Sequence, residues 1–490
     1  MGFKKTGCKN RWDLEKYHLR RLRRGDIFRA GSEFRQREGI AVKKAGARDL
    51  TEGALAPQIV LFTLPLIFSN LLQVMFNMVD VAVVGRFAGS LALGSVGSTA
   101  TLVSLFTSLL IGMADGINVL TATAFGARDR RAQEETVHSA ALISLLMGCI
   151  IMVLGWLLAR PILMLMNTKS ELIDGAVLYM QIYFLGMPAA ALFNFGNGVF
   201  SAVGNTRRPL MYLSIAGGVN VVLNLVFVIV FHMDVAGVAA ASAISQYVSA
   251  GLVLRALLKS DADYGLHLAR LRIVRGRSKA ILGLGIPAGI QYAIFSIANL
   301  FIQVGINSFD AVTVAGAAAA ANADSLVFNV MAAFCTAAAS FVGQNYGAGR
   351  KERVRNSHIL SMVLGSATGA ALGIALLVLG RLFLSLFTAD AAVMEAGMLR
   401  LQVMCLSYGI APFMDCSIAA SRGLGKSFGP MVIVMLGSCA FRILWVYTIF
   451  AWVGTCTSLF MLYPFSWAIT AAAELWYFRR VYRAASAHMV

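Results

Sequence analysis

The sequence Gly126-Ala127-Arg128 has a counterpart in Gly347-Ala348-Gly349-Arg350, 221 residues further along the chain (347 − 126 = 221). The same shift relates several more identical pairs, namely Arg160 and Arg381, Gln181 and Gln402, Gly204 and Gly425, and Pro209 and Pro430. Long apolar stretches separate these anchors. The chain therefore reads as a duplicated unit, and each copy as a bundle of membrane helices.

Composition indicates a membrane protein. Of 490 residues, 58% are hydrophobic and only 13% charged, whereas soluble domains carry about 25% charged residues. Apolar runs of roughly 20 residues recur, each long enough to cross about 30 Å of hydrocarbon as a helix. An outer-membrane barrel would instead show short alternating segments. The pattern predicts an all-α, polytopic membrane protein.

The net charge of +18 is concentrated near the start of the chain. Clusters such as Arg20-Arg21-Leu22-Arg23-Arg24 precede the first apolar stretch, which begins at residue 54. A basic arm in this place favours contact with anionic lipid on the cytoplasmic side over nucleic-acid binding. No cleavable signal peptide is expected. The seven cysteines form no C-x-x-C pair, so neither a metal site nor a disulfide framework is predicted.

Twelve transmembrane helices are predicted, six in each copy. They lie near 57–84, 90–124, 135–159, 174–203, 209–231, 236–258, 280–308, 312–343, 355–380, 392–421, 430–452 and 456–478. Six spans return the chain to its starting side, so the two copies are parallel repeats. Such a duplicated bundle is typical of secondary transporters, in which the substrate cavity lies between the repeats.

Lys and Arg are enriched in one set of short loops, which predicts that this set is cytoplasmic together with both termini. The predicted organisation is a basic N-terminal arm (1–53), an N-lobe with helices 1–6 (54–258), a basic cytoplasmic linker (259–279), a C-lobe with helices 7–12 (280–480) and a cytoplasmic tail (481–490).

Several motifs, taken in order, resemble one known family. They are Arg48-Asp-Leu-Thr-Glu-Gly53, Phe62-Thr-Leu-Pro65, Met78-Val-Asp80, Val84-Gly-Arg86, Ala202-Val-Gly-Asn-Thr206, Gln344-Asn-Tyr-Gly-Ala-Gly349, Ser421-Arg-Gly-Leu-Gly-Lys-Ser427, Phe441-Arg-Ile-Leu-Trp445 and Tyr463-Pro-Phe-Ser-Trp467. From residue 48 to about 480 the chain resembles the multidrug and toxic compound extrusion (MATE) family. Within that family it is more similar to the DinF-type and clostridial members than to the NorM type.

The resemblance implies a V-shaped pair of six-helix lobes in the plasma membrane of a bacterium. It implies export of lipophilic, often cationic small molecules, driven by inward flow of H⁺ or Na⁺. On this basis the expected partners are amphipathic substrates and membrane lipids. The expected protein is a monomer with no cofactor other than the coupling ion.

Asp80 is the leading candidate for the residue that binds the coupling ion. It lies in the outer part of helix 1. At the centre of a membrane helix an ionised carboxylate costs about 2.5–3.5 kcal/mol, so an acid within a span needs a partner or a function. Asn77 and Asn70 share its helical face. A carboxylate satisfied by amides or by interfacial water is the alternative. In a transporter, a buried acid favours ion binding.

Asn220 and Asn224 are four residues apart and share one face of helix 5. Together with Asn197 on helix 4 and Ser242 on helix 6 they predict a polar cluster in the N-lobe. Interhelical hydrogen bonding alone is the alternative role. By resemblance, these four positions match residues that line the N-lobe cavity of DinF-type proteins. Some members carry an aspartate at the position of Asn224, so a two-carboxylate relay is not expected here.

In the C-lobe, Asp415 and Arg442 are predicted to form a charge pair or to contact substrate. NorM-type members have a helix 7 glutamate in the region of Phe295, so their cation site is not expected here. Asp115 is expected to be hydrated. Asp324 lies in an Ala-rich segment suited to close helix packing, and no role is assigned to it.

No enzyme motif is present in the sequence. A Walker A phosphate loop is absent, so ATP is not expected to drive transport, and no His cluster has metal-ligand spacing. A flippase for a lipid-linked precursor is the alternative function, but it would need several cations in its cavity to bind a pyrophosphate. No filter-like repeat supports a channel, and no catalytic constellation supports a membrane-embedded enzyme.

Overall fold

The structure is a computed structural model that describes residues 46–166, 168–487 and 489, and every regular element in these ranges is a helix. All of the helices belong to one compact unit, Asp49–Val490. Most of the predicted basic arm (1–53) lies outside the described residues. Residues 49–53, by contrast, belong to the helical unit, because the backbone N–H of Leu50 donates to Oε1 of Gln344 at 2.9 Å.

The first half of the unit contains six spans, labelled α1 to α6. They are α1 (Leu55–Val83, continued by a π-helical turn at Val84–Ala88), α2 (Gly89–Gly126), α3 (Arg130–Leu165), α4 (Ser170–Phe184 and Met187–Ala202), α5 (Arg207–Leu225, continued by a π-helical turn at Val226–Val230) and α6 (Asp234–Leu258).

The second half repeats this order in α7 to α12. They are α7 (Arg275–Ile306), α8 (Ala311–Gly347), α9 (Lys351–Leu384), α10 (Ala391–Ser407 and Ala411–Gly423), α11 (Phe428–Val434, Met435–Ala440, Phe441–Trp445, Val446–Phe450 and Ala451–Val453, with π-helical second and fourth pieces) and α12 (Cys456–Phe460 and Leu462–Ser486).

The helices give twelve membrane spans in the described part of the chain, as predicted. The apolar stretch Leu55–Gly126 has 72 residues, or about 108 Å if straight, far more than one span needs. Gly89, with φ of 88°, breaks it into α1 and α2, a conformation that glycine adopts without steric penalty. α4 and α10 are each one span bent by 48° and 51°, with a proline at the start of the second piece.

Helix ends differ from the predicted ones mainly on the side of the basic loops. α7 begins at Arg275, five residues before the start predicted near residue 280, and residues 259–274 connect α6 to α7 (280 − 275 = 5). α12 continues to Ser486, into the predicted tail 481–490. In both places charged residues continue the helix outside the apolar layer, because Arg and Lys are good helix formers and their charged heads reach water.

The linker is docked on the beginning of α3. Arg270 pairs with Glu134 at 3.1 Å, and the backbone N–H of His267 donates to Nε2 of His138 at 3.0 Å. The backbone N–H of Val274 donates to the hydroxyl of Ser139 at 3.0 Å. The connection between the two halves is therefore held against the N-lobe by hydrogen bonds and ion pairs.

The two lobes meet along α2 and α7, where glycines let the backbones touch. A Cβ on Gly112 would lie 2.1 Å from the backbone nitrogen of Gly289, and one on Gly116 would lie 2.8 Å from that of Gly285. Small residues permit such close approach between membrane helices. The contact continues to the end of the bundle that carries the linker and the loops 127–129, 203–206, 348–350 and 424–427, hereafter the basic face.

Toward the opposite end, the far face, each lobe has its own core. In the N-lobe, Leu102, Leu163 and Phe184 belong to one buried cluster, and in the C-lobe Ile302 and Leu401 belong to another. Next to the basic face, a third cluster mixes residues of both lobes. The lobes are thus joined at the basic face and pack separately at the far face.

Candidate coupling-ion site in the N-lobe

Three helices place polar groups at one level near the far face. Asp80 lies about two turns before the end of the π-helical turn that continues α1. Asn224 lies in the last turn of α5, and Ser242 about two turns after the start of α6. α5 packs against both α1 and α6, so the three side chains converge inside the lobe.

The carboxylate of Asp80 receives hydrogen bonds from neutral groups. The Asn224 amide donates to its Oδ1, and the Ser242 hydroxyl donates to its Oδ2 at 3.1 Å. The Asn220 amide donates to the Ser242 hydroxyl at 3.4 Å, and its carbonyl accepts from the Asn224 amide at 3.2 Å. Within the described residues, no Lys, Arg or His nitrogen lies within 4.0 Å of the Asp80 carboxylate. Asp80 is half-buried, and its partners are buried.

Asn224 has a second polar atom available at this site. Its carbonyl Oδ1 is buried and has no hydrogen-bond partner. A primary amide carries two donors and one acceptor. The amide can therefore donate to an ionised Asp80 and, after reorientation, accept from the neutral acid.

Two π-helical turns follow the site, and sequence reasoning did not find them. Val84–Ala88 comes soon after Asp80, and Val226–Val230 comes directly after Leu225. Val84 and Val228 of these turns belong to one buried cluster. π-helical turns are frequent at functional sites, but no residue pattern in the sequence marks these two.

Asn197 is not part of the hydrogen-bonded cluster, although the sequence grouped it with Asn220, Asn224 and Ser242. Its side chain makes no hydrogen bond to Asp80, Asn220, Asn224 or Ser242. It lies little more than one turn from the end of α4 at the basic face, whereas Asp80 lies near the far face. Helical spacing predicts which side of a helix a residue occupies, but the depth of that residue depends on how the spans are stacked.

The predicted charge pair of Asp415 and Arg442 is not formed as a salt bridge. Nε of Arg442 donates to the hydroxyl of Ser466 at 3.1 Å. Its guanidinium lies 4.8 Å from the ring centroid of Tyr463 and 5.5 Å from that of Phe295. Aromatic faces stabilise a buried guanidinium by cation–π attraction, so Arg442 is accommodated without a carboxylate at contact distance.

Asp115 pairs with Arg422 across the lobe interface, a contact that the sequence did not predict, and its side chain remains 28% exposed. Nη1 of Arg422, on α10, donates to Oδ2 of Asp115, on α2, at 2.7 Å. The hydroxyl of Tyr292 on α7 donates to the same oxygen at 2.8 Å. The two charged residues are 307 positions apart, and no local signal in the sequence links them.

Asp324 forms a second ion pair, buried inside the C-lobe. Nη2 and Nε of Arg400 donate to its Oδ2 at 2.6 and 3.1 Å, and the Tyr408 hydroxyl donates to its Oδ1. All three side chains are buried. Both oxygens of the carboxylate are satisfied, and the negative charge is neutralised by the arginine.

These contacts distinguish the Asp80 site from Asp115 and Asp324, which are paired with arginine. Neutral donors leave its charge uncompensated, so the site is suited to binding a proton or a small monovalent cation. Within the described residues, no group of three or more His, Cys, Asp or Glu side chains could hold a metal ion.

Twelve spans in two parallel repeats, joined at one face and with an acid inside one lobe, define a multi-pass membrane protein of the secondary-transporter class. The MatE family model matches residues 65–226 and 287–448, one segment in each lobe. The chain therefore belongs to the MATE family, as its motifs predicted, and is a multidrug efflux transporter rather than an enzyme.

Known proteins of this family align along most of the chain. The probable multidrug resistance protein YpnP of Bacillus subtilis (strain 168) is 28% identical over 393 residues, covering 80% of this chain and 86% of that protein. DNA damage-inducible protein F of Escherichia coli (strain K12) is 28% identical over 257 residues, covering 52% and 53%.

The fold also matches a solved structure, the outward-facing conformation of a multidrug resistance MATE family transporter of the MOP superfamily. The TM-score is 0.83 with 20% sequence identity, covering 91% of this chain and 98% of that one. This likeness confirms the predicted twelve-helix fold.

Proposed function

We propose that this protein exports amphipathic, often cationic organic compounds in exchange for H⁺ or Na⁺, and that the coupling ion binds at Asp80. One observation carries the proposal: an acid inside the N-lobe that is held only by the amide of Asn224 and the hydroxyl of Ser242. A carboxylate paired with arginine stays ionised. One held by neutral groups can gain and lose a positive ion.

The neighbours of Asp80 suit either ion. A bound proton turns the carboxylate into a donor, which the free Oδ1 of Asn224 can accept. A sodium ion prefers oxygen ligands, as hard cations do. The carbonyls of Asn220 and Asn224 and the hydroxyl of Ser242 supply three such oxygens beside the carboxylate.

The basic face is proposed to be cytoplasmic, in the plasma membrane of a bacterium. The linker and the short loops at this face are rich in Lys and Arg, which are retained on the cytoplasmic side during insertion. Because the lobes are joined at this face, the described conformation would open to the outside. Asp80, near the far face, would then take up its ion from the exterior.

The substrate is proposed to contact α1 beside the ion site. Met78 is 46% exposed and Asn77 is also exposed, and both lie within one turn of Asp80. A flexible thioether next to an amide offers an apolar and a polar contact together. This combination fits amphipathic molecules and needs no cationic pocket.

Ion and substrate would be coupled through their preference for different conformations. Each can shift the balance between outward-open and inward-open states only by its differential affinity for the two. A protonated or sodium-bound Asp80 would favour one state, and bound substrate the other.

The test is transport by purified protein in proteoliposomes, with a lipophilic cationic dye as substrate and an imposed pH or Na⁺ gradient as driving force. Asp80→Asn imitates the protonated acid, so it should fold and bind dye but lose gradient-driven transport. The matched control is Asp174→Asn, which alters an exposed acid and should transport as wild type does. Wild-type transport by correctly folded Asp80→Asn would place the coupling ion elsewhere.

A further inference from the structure

The acid Glu474, on α12, lies inside the C-lobe and has no hydrogen-bond partner. Its side chain is fully buried, and neither carboxylate oxygen accepts a hydrogen bond. Within the described residues, no Lys, Arg or His nitrogen lies within 4.0 Å of it. Burying an ionised carboxylate without a partner is strongly unfavourable, because nothing replaces its lost hydration. In this conformation the neutral acid is therefore the favoured form.

Charged and titratable side chains that lie near Glu474 include Arg422 and Asp415 on α10 and Tyr477 on α12 itself. Arg442 on α11 and His358 on α9 contact α12 through Ser466 and Phe478. α10, which carries Arg422 and Asp415, packs against α12, and a guanidinium attracts an ionised carboxylate whereas a second carboxylate repels it. Arg442 is held by Ser466, and His358 is hydrogen-bonded to the hydroxyl of Ser417 at 3.0 Å. Arg422 is thus the cation that can change partner.

Arg422 is committed to the lobe interface. Its Nη1 donates to Asp115 of the N-lobe at 2.7 Å, and its Nη2 donates to Oε1 of Gln291 at 2.8 Å. Its Nε is buried and has no acceptor. The Nη1 side of the guanidinium joins the two lobes, while the Nε–H is left without a partner.

We propose that Glu474 is a second proton-binding site, and that Arg422 links its protonation to the contact between the lobes. While the lobes are joined at the basic face, Arg422 pairs with Asp115 and Glu474 holds a proton. When they separate there, Arg422 loses Asp115, which belongs to the other lobe. Two acids of the same lobe, Asp415 and Glu474, then lie near it. Glu474 is the fully buried one with neither oxygen partnered, and pairing with Arg422 stabilises its ionised form.

Opening at the basic face releases one proton and transfers no electrons. Opening breaks the O–H bond of the Glu474 carboxylic acid, releases H⁺ to the water that enters the cleft, and replaces the Arg422–Asp115 ion pair by an Arg422–Glu474 pair. Closing reverses each change. The direction of net proton flow rests on the proposed function: with the basic face cytoplasmic, this site discharges its proton to the inside.

The linkage has a definite sign. The open state binds one proton fewer than the closed state, so raising the pH favours opening at the basic face. For one linked proton the open-to-closed ratio changes by up to about tenfold per pH unit. Substituting Glu474 by a residue that cannot ionise should remove this dependence and favour the closed state.

The experiment measures the distance between spin labels on the two lobes. Full-length protein in lipid nanodiscs carries Arg131→Cys on α3 and Lys351→Cys on α9, both exposed at the basic face, in a background without the native cysteines. Distances are recorded from pH 5 to pH 8 in five proteins: this background, Glu474→Gln, Asp115→Asn, Asp80→Asn, and the double variant Asp80→Asn with Glu474→Gln.

In the unsubstituted background the open fraction should rise with pH. Glu474→Gln should be as stable as that background, stay closed, and lose most of its response to pH. Asp115→Asn should be more open at every pH, because Arg422 is free to pair with Glu474. The proposal is overturned if Glu474→Gln melts far below the background, since Glu474 would then be an ionised structural partner. An unchanged pH response in Glu474→Gln would overturn it as well.

The Asp80 variants separate this proposal from the proposed function. If the pH response survives in Asp80→Asn and disappears in the double variant, the second site acts independently of the first. If Asp80→Asn transports normally while Glu474→Gln has lost its pH response, the coupling role of Asp80 fails and the Glu474 site stands. If Asp80→Asn alone abolishes the pH response, the Glu474 proposal fails and the Asp80 site stands.

Discussion

In the N-lobe the carboxylate of Asp80 is held by an amide and a hydroxyl, whereas in the C-lobe that of Asp324 is held by the guanidinium of Arg400 and the hydroxyl of Tyr408. Both acids lie inside membrane-spanning bundles of the same architecture. The arginine neutralises the charge of one carboxylate, and removing that carboxylate would leave a buried cation unpaired. The neutral donors leave the other without a compensating cation, which supports the proposed ion binding there.

The repeat itself does not carry the ion site. The motifs give an offset of 221, and the two matched segments give 222 (287 − 65 = 222). At these offsets Asp80 corresponds to Phe301 or Ile302, and Asn224 to Trp445 or Val446. These four counterparts are apolar, whereas Asn220 corresponds to Phe441 or Arg442. Duplication has preserved the helical scaffold, while the polar groups inside the two lobes have diverged.

The largest expected difference is in stability, between two single variants that each replace one aspartate by asparagine, one in each lobe. Asp324→Asn should destabilise the protein by about 3–5 kcal/mol, because Arg400 is left as a buried, unpaired cation. Asp80→Asn should change stability by less than about 1 kcal/mol, because its neighbours are neutral and able to hydrogen-bond an amide. Unfolding of both variants in the same detergent gives the comparison. Equal losses of stability would mean that the two acids are held alike.

A smaller effect is expected at a neighbour of Asp80. Ser242→Ala removes the donor to Oδ2, and one such hydrogen bond contributes roughly 0.6–2 kcal/mol in membranes. The concentration of H⁺ or Na⁺ that gives half-maximal transport should therefore shift by about 3- to 30-fold. Ser245→Ala, nearly one turn along α6, removes a hydroxyl that donates only to the backbone carbonyl of Ser242. It should leave this concentration unchanged, and an equal shift in both variants would exclude a specific role for Ser242.

The smallest effect is expected for an exposed ion pair of the N-lobe. Arg160 pairs with Asp174, and the two side chains are 53% and 79% exposed. Surface pairs contribute at most about 1 kcal/mol, because water and salt screen them. Arg160→Gln should therefore leave the melting temperature in detergent and the transport rate nearly unchanged. A loss of stability comparable with that of Asp324→Asn would show that exposed and buried ion pairs contribute equally to stability here.

The predictions that succeeded were based on patterns within single helices. The apolar runs and the repeat predicted twelve spans, and the four-residue spacing of Asn220 and Asn224 predicted the shared face that brings both to one network with Ser242. The prediction for Asn197 failed because spacing along a helix contains no information on depth relative to other spans. The predicted charge pair of Asp415 and Arg442 is not formed, because the aromatic rings and the hydroxyl that hold Arg442 come from other helices.

The sequence by itself determined that this protein is an all-helical, duplicated membrane transporter of the MATE family, because hydrophobic runs, glycine breaks and ordered motifs act locally. It also singled out Asp80, since an acid in an apolar helix is costly wherever the helix packs. Only the tertiary structure decided which acids have cations. Asp115 meets Arg422, 307 residues away, and Glu474 meets none at contact distance. Such pairing depends on how twelve helices are tilted, stacked and joined, and no short-range pattern contains that geometry.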